Sequence, residues 1–542
     1  MLLRQLHLSN VTLLCIPFIL TICVFFAYFH DGLYHVPPSP SPHALSSTAI
    51  TQTTSTPALG SASIQGEIEE ARLKASNPQP LSQNVFPGTD FLPSRPIDPL
   101  CENGPDVSRI LLIIKTGASE TYDRLPTQFM SMTRCLSDFL VFSDMEETVM
   151  GYRVQDILGE TIDEVRMENG DFDLWRRQRS CLVDQKNCQQ WSSTGAEAWN
   201  LDKYKNVRQS HLSYKLRPDY DWYLHIDADT YVHWPNMVQM LKPFSPRKDY
   251  FFGSFEPSQY GDFNHGGSGY ILSQSAMKKF HEKADLEHYD RQAREICCGD
   301  MLMTVAVKET IDLANTNMFP TMNGRKPFTL PFGPRQWCQP IATLHKLNSE
   351  EVANIWEFEQ SRIANHSGPA STVPPLLIKD LYYEYFKPRL VPKLEDWDNM
   401  NDDYLDNVWY YFNRKRKSRT WKEENGQYMD HLRKGDLSPE ERRAHRSFED
   451  CRIACEAVDE CLQFRWQDDI CAMSKNFRLG NPKRIEDEQH MRWMSGWAVK
   501  KINDWINSQE ECVPKFPQPD LRLHSETGIE LDAPMNLHYP SL

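Results

Sequence analysis

The chain has 542 residues, 40% hydrophobic and 25% charged, enough for more than one core at roughly 100–200 residues per domain. Its formal charge of −15 argues against a nucleic-acid partner, because phosphate recognition asks for a basic face. The first informative segment is 11–29, VTLLCIPFILTICVFFAYF, which carries no charge and only two threonines and one proline as interruptions. At about 1.5 Å per residue a helix here just crosses a thin bilayer. Arg4 and the amino terminus precede it and Asp31 follows, so residues 1–10 are expected in the cytoplasm. The run is longer than the apolar core of a cleaved signal peptide, and no small-x-small site follows closely. It reads as an uncleaved signal anchor, with a signal peptide as the competing reading. Its shortness suits an early secretory membrane.

Residues 30–97 are rich in Pro, Ser and Thr, lack cysteine, and hold too few large apolar residues for a core. They read as a stem, suited to O-glycosylation. Of the fourteen cysteines, Cys15 and Cys23 lie in the apolar run, leaving twelve beyond it: Cys101, Cys135, Cys181, Cys188, Cys297, Cys298, Cys338, Cys451, Cys455, Cys461, Cys471 and Cys512. An even dozen on the far side of an anchor fits disulfides in an oxidising lumen. Zinc is the alternative, although no CxxC pair occurs. Asn365-His366-Ser367 is a glycosylation acceptor sequence.

From 98 to 375 apolar strands alternate with amphipathic helices. ILLII at Ile110–Ile114 ends in Lys115-Thr116-Gly117, and Phe139–Phe142 ends in Ser143-Asp144. Leu201, Tyr204, Arg208 and Leu212 recur at helical spacing, predicting one helix over 197–216 closed by Arg217-Pro218. Strands follow at Trp222–Ile226 and Tyr250–Gly253, then the glycine cluster HGGSGYILS at 265–273, whose Ser273 is placed to cap a helix running to about Lys283. This order predicts an α/β domain with a mostly parallel sheet. Ligands then sit beyond the carboxyl ends of the strands, where Asp144, Asp227 and Asp229 project. Residues 376–445 are charged and aromatic and read as a linker or solvated extension, including the basic run Arg414–Lys417. Cys451, Cys455, Cys461 and Cys471 staple a small α+β unit over 446–512, with three connectivities open, and 513–542 form a tail.

The chemistry centres on DWYLHIDADTYVHWPN at 221–236. Asp227 and Asp229 close an apolar strand side by side. Unpaired, they would repel and raise each other's pKa. A hard divalent cation relieves this and leaves coordination positions open for a phosphate. A turn whose aspartates cap neighbouring amides is the plain structural alternative. A phosphatase of the haloacid-dehalogenase type also uses DxD after a strand, but wants Thr or Val where this chain has Tyr231.

WYLHIDADTYVHWPN, FFGSF, GGSGYILS and CCGD before an apolar helix, with KT and SD after the first two strands, together resemble glycosyltransferase family 31, on the branch holding Fringe and core 1 β1,3-galactosyltransferase. The resemblance covers about 105–360. It implies a GT-A fold, a Rossmann-like nucleotide-sugar domain on a type II Golgi anchor, and Mn²⁺ (or Mg²⁺) with a UDP-sugar donor. It further implies inverting transfer of a hexose or N-acetylhexosamine to a glycan or glycoprotein acceptor, β1,3-linked. Carried over residue by residue, Asp229 ligates the metal with Asp227 and His345. Asp227, Thr116 and Asp144 address the nucleotide, and Gly266, Gly267 and Gly269 let backbone approach the donor. Asp300 is the catalytic base. Many relatives show DDD where this chain has DAD, and an acidic pair where it has Asp300 alone. Trp337 and Trp356 either line the sugar face or pack. The unit at 446–512 resembles a PAN/apple domain, which implies acceptor recognition or stabilisation. A non-catalytic lumenal chaperone or binding homologue acting through that unit is the alternative function.

Overall fold

The structure, a computed structural model, describes residues 101, 104–189, 196–258, 261–368, 372–399, 408–412 and 437–518. The apolar run at 11–29, the stem, the basic run Arg414–Lys417 and most of the tail lie outside the described residues. Among the described residues no helix is long and apolar enough to cross a membrane.

The first half builds an eight-stranded sheet. In chain order its strands are β1 (Ile110–Lys115), β2 (Phe139–Ser143), β3 (Glu147–Val149), β4 (Tyr152–Asp156), β5 (Trp222–Asp227), β7 (Phe251–Gly253), β8 (Tyr270–Ser273) and β9 (Thr316–Asn317), and the short β6 (Tyr231–Val232) lies outside it. The order across the sheet is β9-β7-β8-β5-β1-β2-β4-β3. β1 pairs parallel with β2 and β5, whereas β8 runs antiparallel between β5 and β7. Both faces are covered: Leu112, Ile114, Val141, Leu224 and Ile226 enter one core, and Leu111, Ile113, Leu140, Phe142 and Tyr223 the other. That alternation is why the central strands read as unbroken apolar runs.

Helices flank the sheet: α1 (Thr121–Met130), α2 (Asp173–Arg179), α3 (Ala196–Asp202), α4 (Asn206–Leu216), α5 (Trp234–Leu241), α6 (Gln274–Lys283), α7 (Leu286–Gln292), α8 (Gly299–Ile311) and α9 (Ser349–Ala364). Ser273 caps α6 as expected, its side chain accepting from the Ala276 amide. The single helix expected over 197–216 is instead the pair α3 and α4, broken by a turn at 203–205. Lys205 turns its ammonium inward to Asp144, 3.1 Å away, and to the Thr116 carbonyl, 2.9 Å away.

Where a linker was expected, the described residues are built into the fold. Leu376, Ile378, Leu381, Tyr382, Tyr385 and Phe386 are buried in the main core. Beyond β10 (Thr343–Leu344), β11 (Lys393–Glu395) and β12 (Trp409–Phe412) join β13 (Gln463–Gln467), β14 (Ile470–Ser474) and β15 (Met494–Trp497) in an antiparallel sheet ordered β11-β15-β13-β14-β12. Helix α10 (Phe448–Ala457) packs on that sheet, stapled by Cys451–Cys471 and Cys455–Cys461. This unit is fused to the first. Phe332 and Phe477 exchange backbone hydrogen bonds of 2.7 and 3.0 Å, Trp337 packs against Tyr382 and Trp505, and Cys338 bonds Cys512. Trp337 is thereby a packing residue, and Trp356 lies against the same core.

Candidate active site

The register of the central strands sets Lys115 opposite Asp227 at the carboxyl ends of β1 and β5. Beyond β5 the chain turns through Ala228-Asp229-Thr230. Buried Gln128 of α1 holds this turn, donating to the carbonyls of Ala228 (2.8 Å) and Thr230 (3.0 Å). Thr230 Oγ1 in turn donates to the Gly267 carbonyl at 2.8 Å, tying the turn to the glycine cluster. Strand β6 pairs with β10, which delivers His345. The Leu347 amide reaches the Asp229 carbonyl at 3.1 Å, so the two segments are locked together.

Asp227, Asp229 and His345 thus meet, each offering a ligand atom within 4.8 Å of the others. His345 Nε2 stands 3.0 Å from Asp229 Oδ1 and 4.0 Å from Asp227 Oδ2. The two carboxylates suit a hard divalent cation, and the imidazole nitrogen favours a first-row transition ion such as Mn²⁺ over Mg²⁺. Burial raises the Asp227 carboxyl above the usual range against the pull of Lys115. Burial opposes ionisation of Asp229 as well, but the hydrogen bond and charge of His345 together with the charge of Arg124 outweigh it and hold that group low.

Beside this cluster lies a buried network of alternating charge. Lys115 contacts Asp202 and stands 3.2 Å from Asp227 Oδ1, while Lys205 stands 3.1 Å from Asp144 and 3.3 Å from Asp202. Burial disfavours both ammonium groups, yet the facing carboxylates raise them above the ordinary lysine value. Thr116 and Asp144 do sit at this cleft, at the ends of β1 and β2. Asp144 is already engaged, one oxygen accepting from the Ala118 amide at 2.7 Å and the other facing Lys205.

Asp300 occupies the first turn of α8. Its Oδ2 accepts from the Gly266 amide at 2.7 Å and its Oδ1 from the Met301 amide at 2.9 Å. Burial nevertheless raises its pKa above the ordinary carboxylate value. The glycines serve close approach: a Cβ on Gly266 would lie 3.3 Å from Asp300, and one on Gly267 would overlap the His345 ring. Gly269 has φ +80°, a conformation that favours glycine. His265, 5.4 Å from His345 between ring centroids, hydrogen-bonds Ser268 and is held neutral, down to about 3, by burial. Asn365 is exposed at the end of α9, away from any core.

Lys115, Gln128, Asp202, Lys205 and His265 were not singled out from the sequence. Lys115 ends its strand beside Thr116 and carried a local signal. The others lie on helices or loops whose contacts are set by tertiary packing.

A mixed central sheet with carboxylates at its strand ends fits a GT-A-like domain. Residues 107–324 match the family model described as Fringe-like. Over 108 residues it is 32% identical to glycoprotein-N-acetylgalactosamine 3-beta-galactosyltransferase 1 of Xenopus laevis, covering 19% of this chain and 30% of that protein. Over 79 residues it is 30% identical to human chondroitin sulfate glucuronyltransferase, covering 14% of this chain and 10% of that protein. The matches therefore span less than a third of either relative.

Proposed function

We propose that the protein is an inverting, divalent-metal-dependent glycosyltransferase that moves a hexose or N-acetylhexosamine from a UDP-sugar to a glycan or glycoprotein acceptor, in β1,3 linkage. The observation that carries this reading is the meeting of Asp227, Asp229 and His345 at ligand distance beside Asp300. Asp227, Asp229 and His345 would hold Mn²⁺, or Mg²⁺ in its place. When bound, the ion supplies positive charge to the leaving diphosphate.

Asp300 is the group to receive the proton of the acceptor hydroxyl as its oxygen attacks the anomeric carbon and the bond to diphosphate breaks. Its burial, which makes the carboxylate more basic than usual, suits that task. The Gly266 and Met301 amides orient it. Thr116 and Asp144 would contact the nucleotide, beside the buried Lys205 that binds both. Gly266, Gly267 and Gly269 admit the donor.

The remaining parts of the reading concern placement. Residues 11–29 anchor a type II Golgi protein, 446–512 act as a PAN/apple-like unit that supports acceptor recognition or stability, and Asn365 accepts N-glycan.

The secreted form lacking residues 1–97, screened for UDP release over a panel of UDP-sugars with Mn²⁺ and with chelator, tests the reading. Metal-dependent turnover of one donor is expected. A folded preparation that neither binds UDP nor turns over any donor would overturn it in favour of a non-catalytic binding protein.

A further inference from the structure

Two residues before Asp300, the chain joins neighbours in a disulfide, Cys297–Cys298. The other ten cysteines of the described residues pair among themselves, as Cys101–Cys135, Cys181–Cys188, Cys338–Cys512, Cys451–Cys471 and Cys455–Cys461. Cys297 and Cys298 are thus left to each other. A bond between consecutive residues closes a small ring around their shared peptide and removes most of the freedom of the backbone there.

That ring sits at the entry to α8. Cys298 occupies the N-cap position without any side-chain cap hydrogen bond, and its carbonyl accepts from the Leu302 amide at 3.0 Å. Gly299 is wedged against the turn between α3 and α4: a Cβ there would lie 2.7 Å from Asn206 Oδ1 and 3.0 Å from the Lys203 carbonyl. Asp300 is then clamped by the Gly266 amide. Four consecutive residues therefore carry a ring, a wedge and a clamp. Upstream of the wedge Arg294, Glu295 and Cys297 are exposed while Ile296 is buried in the core, and the ring joins that anchor to Gly299 across the exposed Cys297.

We propose that the Cys297–Cys298 ring is a positioning element for Asp300, and that opening it by a dithiol lowers transfer while leaving donor binding intact. The proposal rests on the reading of Asp300 as the base. The chemistry is ordinary thiol–disulfide exchange. The reagent gives two electrons and two protons, the S–S bond breaks to two thiols, and the reagent leaves as its own disulfide. With the ring open the backbone before Gly299 regains rotation, and the carboxylate leaves its reactive placement part of the time. Small misplacements of a catalytic group carry large rate penalties. The proposed metal ligands Asp227, Asp229 and His345 stand on β5, its following turn and the end of β10, elements that do not include the ring, so donor binding is expected to survive its opening.

The test pairs peptide mapping without reduction with kinetics of the full chain. The map is expected to show the 297–298 linkage. The Cys297→Ala/Cys298→Ser variant removes the ring but places a hydroxyl at the N-cap, which preserves the helix start. Its kcat is expected to fall about tenfold or more, with donor KM and thermal midpoint unchanged. Mild dithiol treatment is expected to bring wild-type turnover toward the variant's level and reoxidation to restore it, while the variant does not respond. This arm stands even where the variant folds poorly. Two free thiols in the map, or wild-type kcat in the folded variant, would overturn the proposal. Full transfer by Asp300→Asn would remove the base assignment and the proposal with it, which separates that failure from failure of the ring alone.

Discussion

Gly267 and His345 share one space: a Cβ added to Gly267 would lie 2.1 Å from Cε1 of the His345 ring. The missing side chain is what lets the imidazole stand 3.0 Å from Asp229. A glycine from the cluster before β8 thus sets the position of His345, the proposed metal ligand that follows β10, and the Thr230–Gly267 hydrogen bond fixes the same glycine to the aspartate turn.

Gly267→Ala should displace the His345 ring without unfolding the domain. The Mn²⁺ concentration for half-maximal UDP release is expected to rise about 10–100-fold, the range typical when a group supporting a metal ligand is lost. An unchanged Mn²⁺ titration would place His345 outside the metal shell.

Asp229→Ala and Asp300→Asn should separate binding from chemistry. The first is expected to abolish Mn²⁺-dependent UDP release. The second should keep UDP-sugar affinity and lose transfer, because Asn cannot take the acceptor proton although it keeps the shape. Calorimetric donor binding beside product analysis distinguishes them.

Lys205→Met should destabilise the fold. Lys205 and Asp144 have side chains only 2% exposed, and removing one partner strands the other carboxylate. The expected loss is about 3–5 kcal/mol in denaturant unfolding. Adding Asp144→Asn should restore part of it, since the stranded charge is then gone. A single variant as stable as wild type would mean that water reaches Asp144.

Cys338→Ala/Cys512→Ala should loosen the C-terminal unit from the first domain. The bond spans 174 residues of sequence, and loss of a native disulfide costs about 2–5 kcal/mol. Limited proteolysis should then cleave between the units earlier than in wild type. The aromatic packing of Trp337, Phe477 and Trp505 is expected to keep the two in contact, so activity should fall less than stability.

Much of the frame is local and so was legible. Ile110–Ile114, Phe139–Phe142 and Trp222–Ile226 announce buried strands because both faces of the sheet are covered, and Ser273 announces a helix start because a cap needs only its own next turn. Asp227 and Asp229 were visible as two like charges at a strand end, and Asp300 and His345 through the motifs around them.

What tertiary structure alone decided are relationships between residues far apart in the chain. The Lys205–Asp144 pair spans 61 residues and the Lys115–Asp202 pair 87, and both lie at the turn dividing a helix that periodicity runs straight through. The aromatic residues after 376 have no period of their own, because Tyr382 and Phe386 pack against Phe332 and Phe477 rather than along one face of a helix. By itself the sequence determined which segments become strands and caps and which residue types could hold a cation, since those follow from backbone geometry and side-chain chemistry within a few positions. Only the fold decided which charges neutralise one another, which cysteines pair and which glycine makes room for which ring. Each of those depends on chain segments that meet only once the sheet has formed.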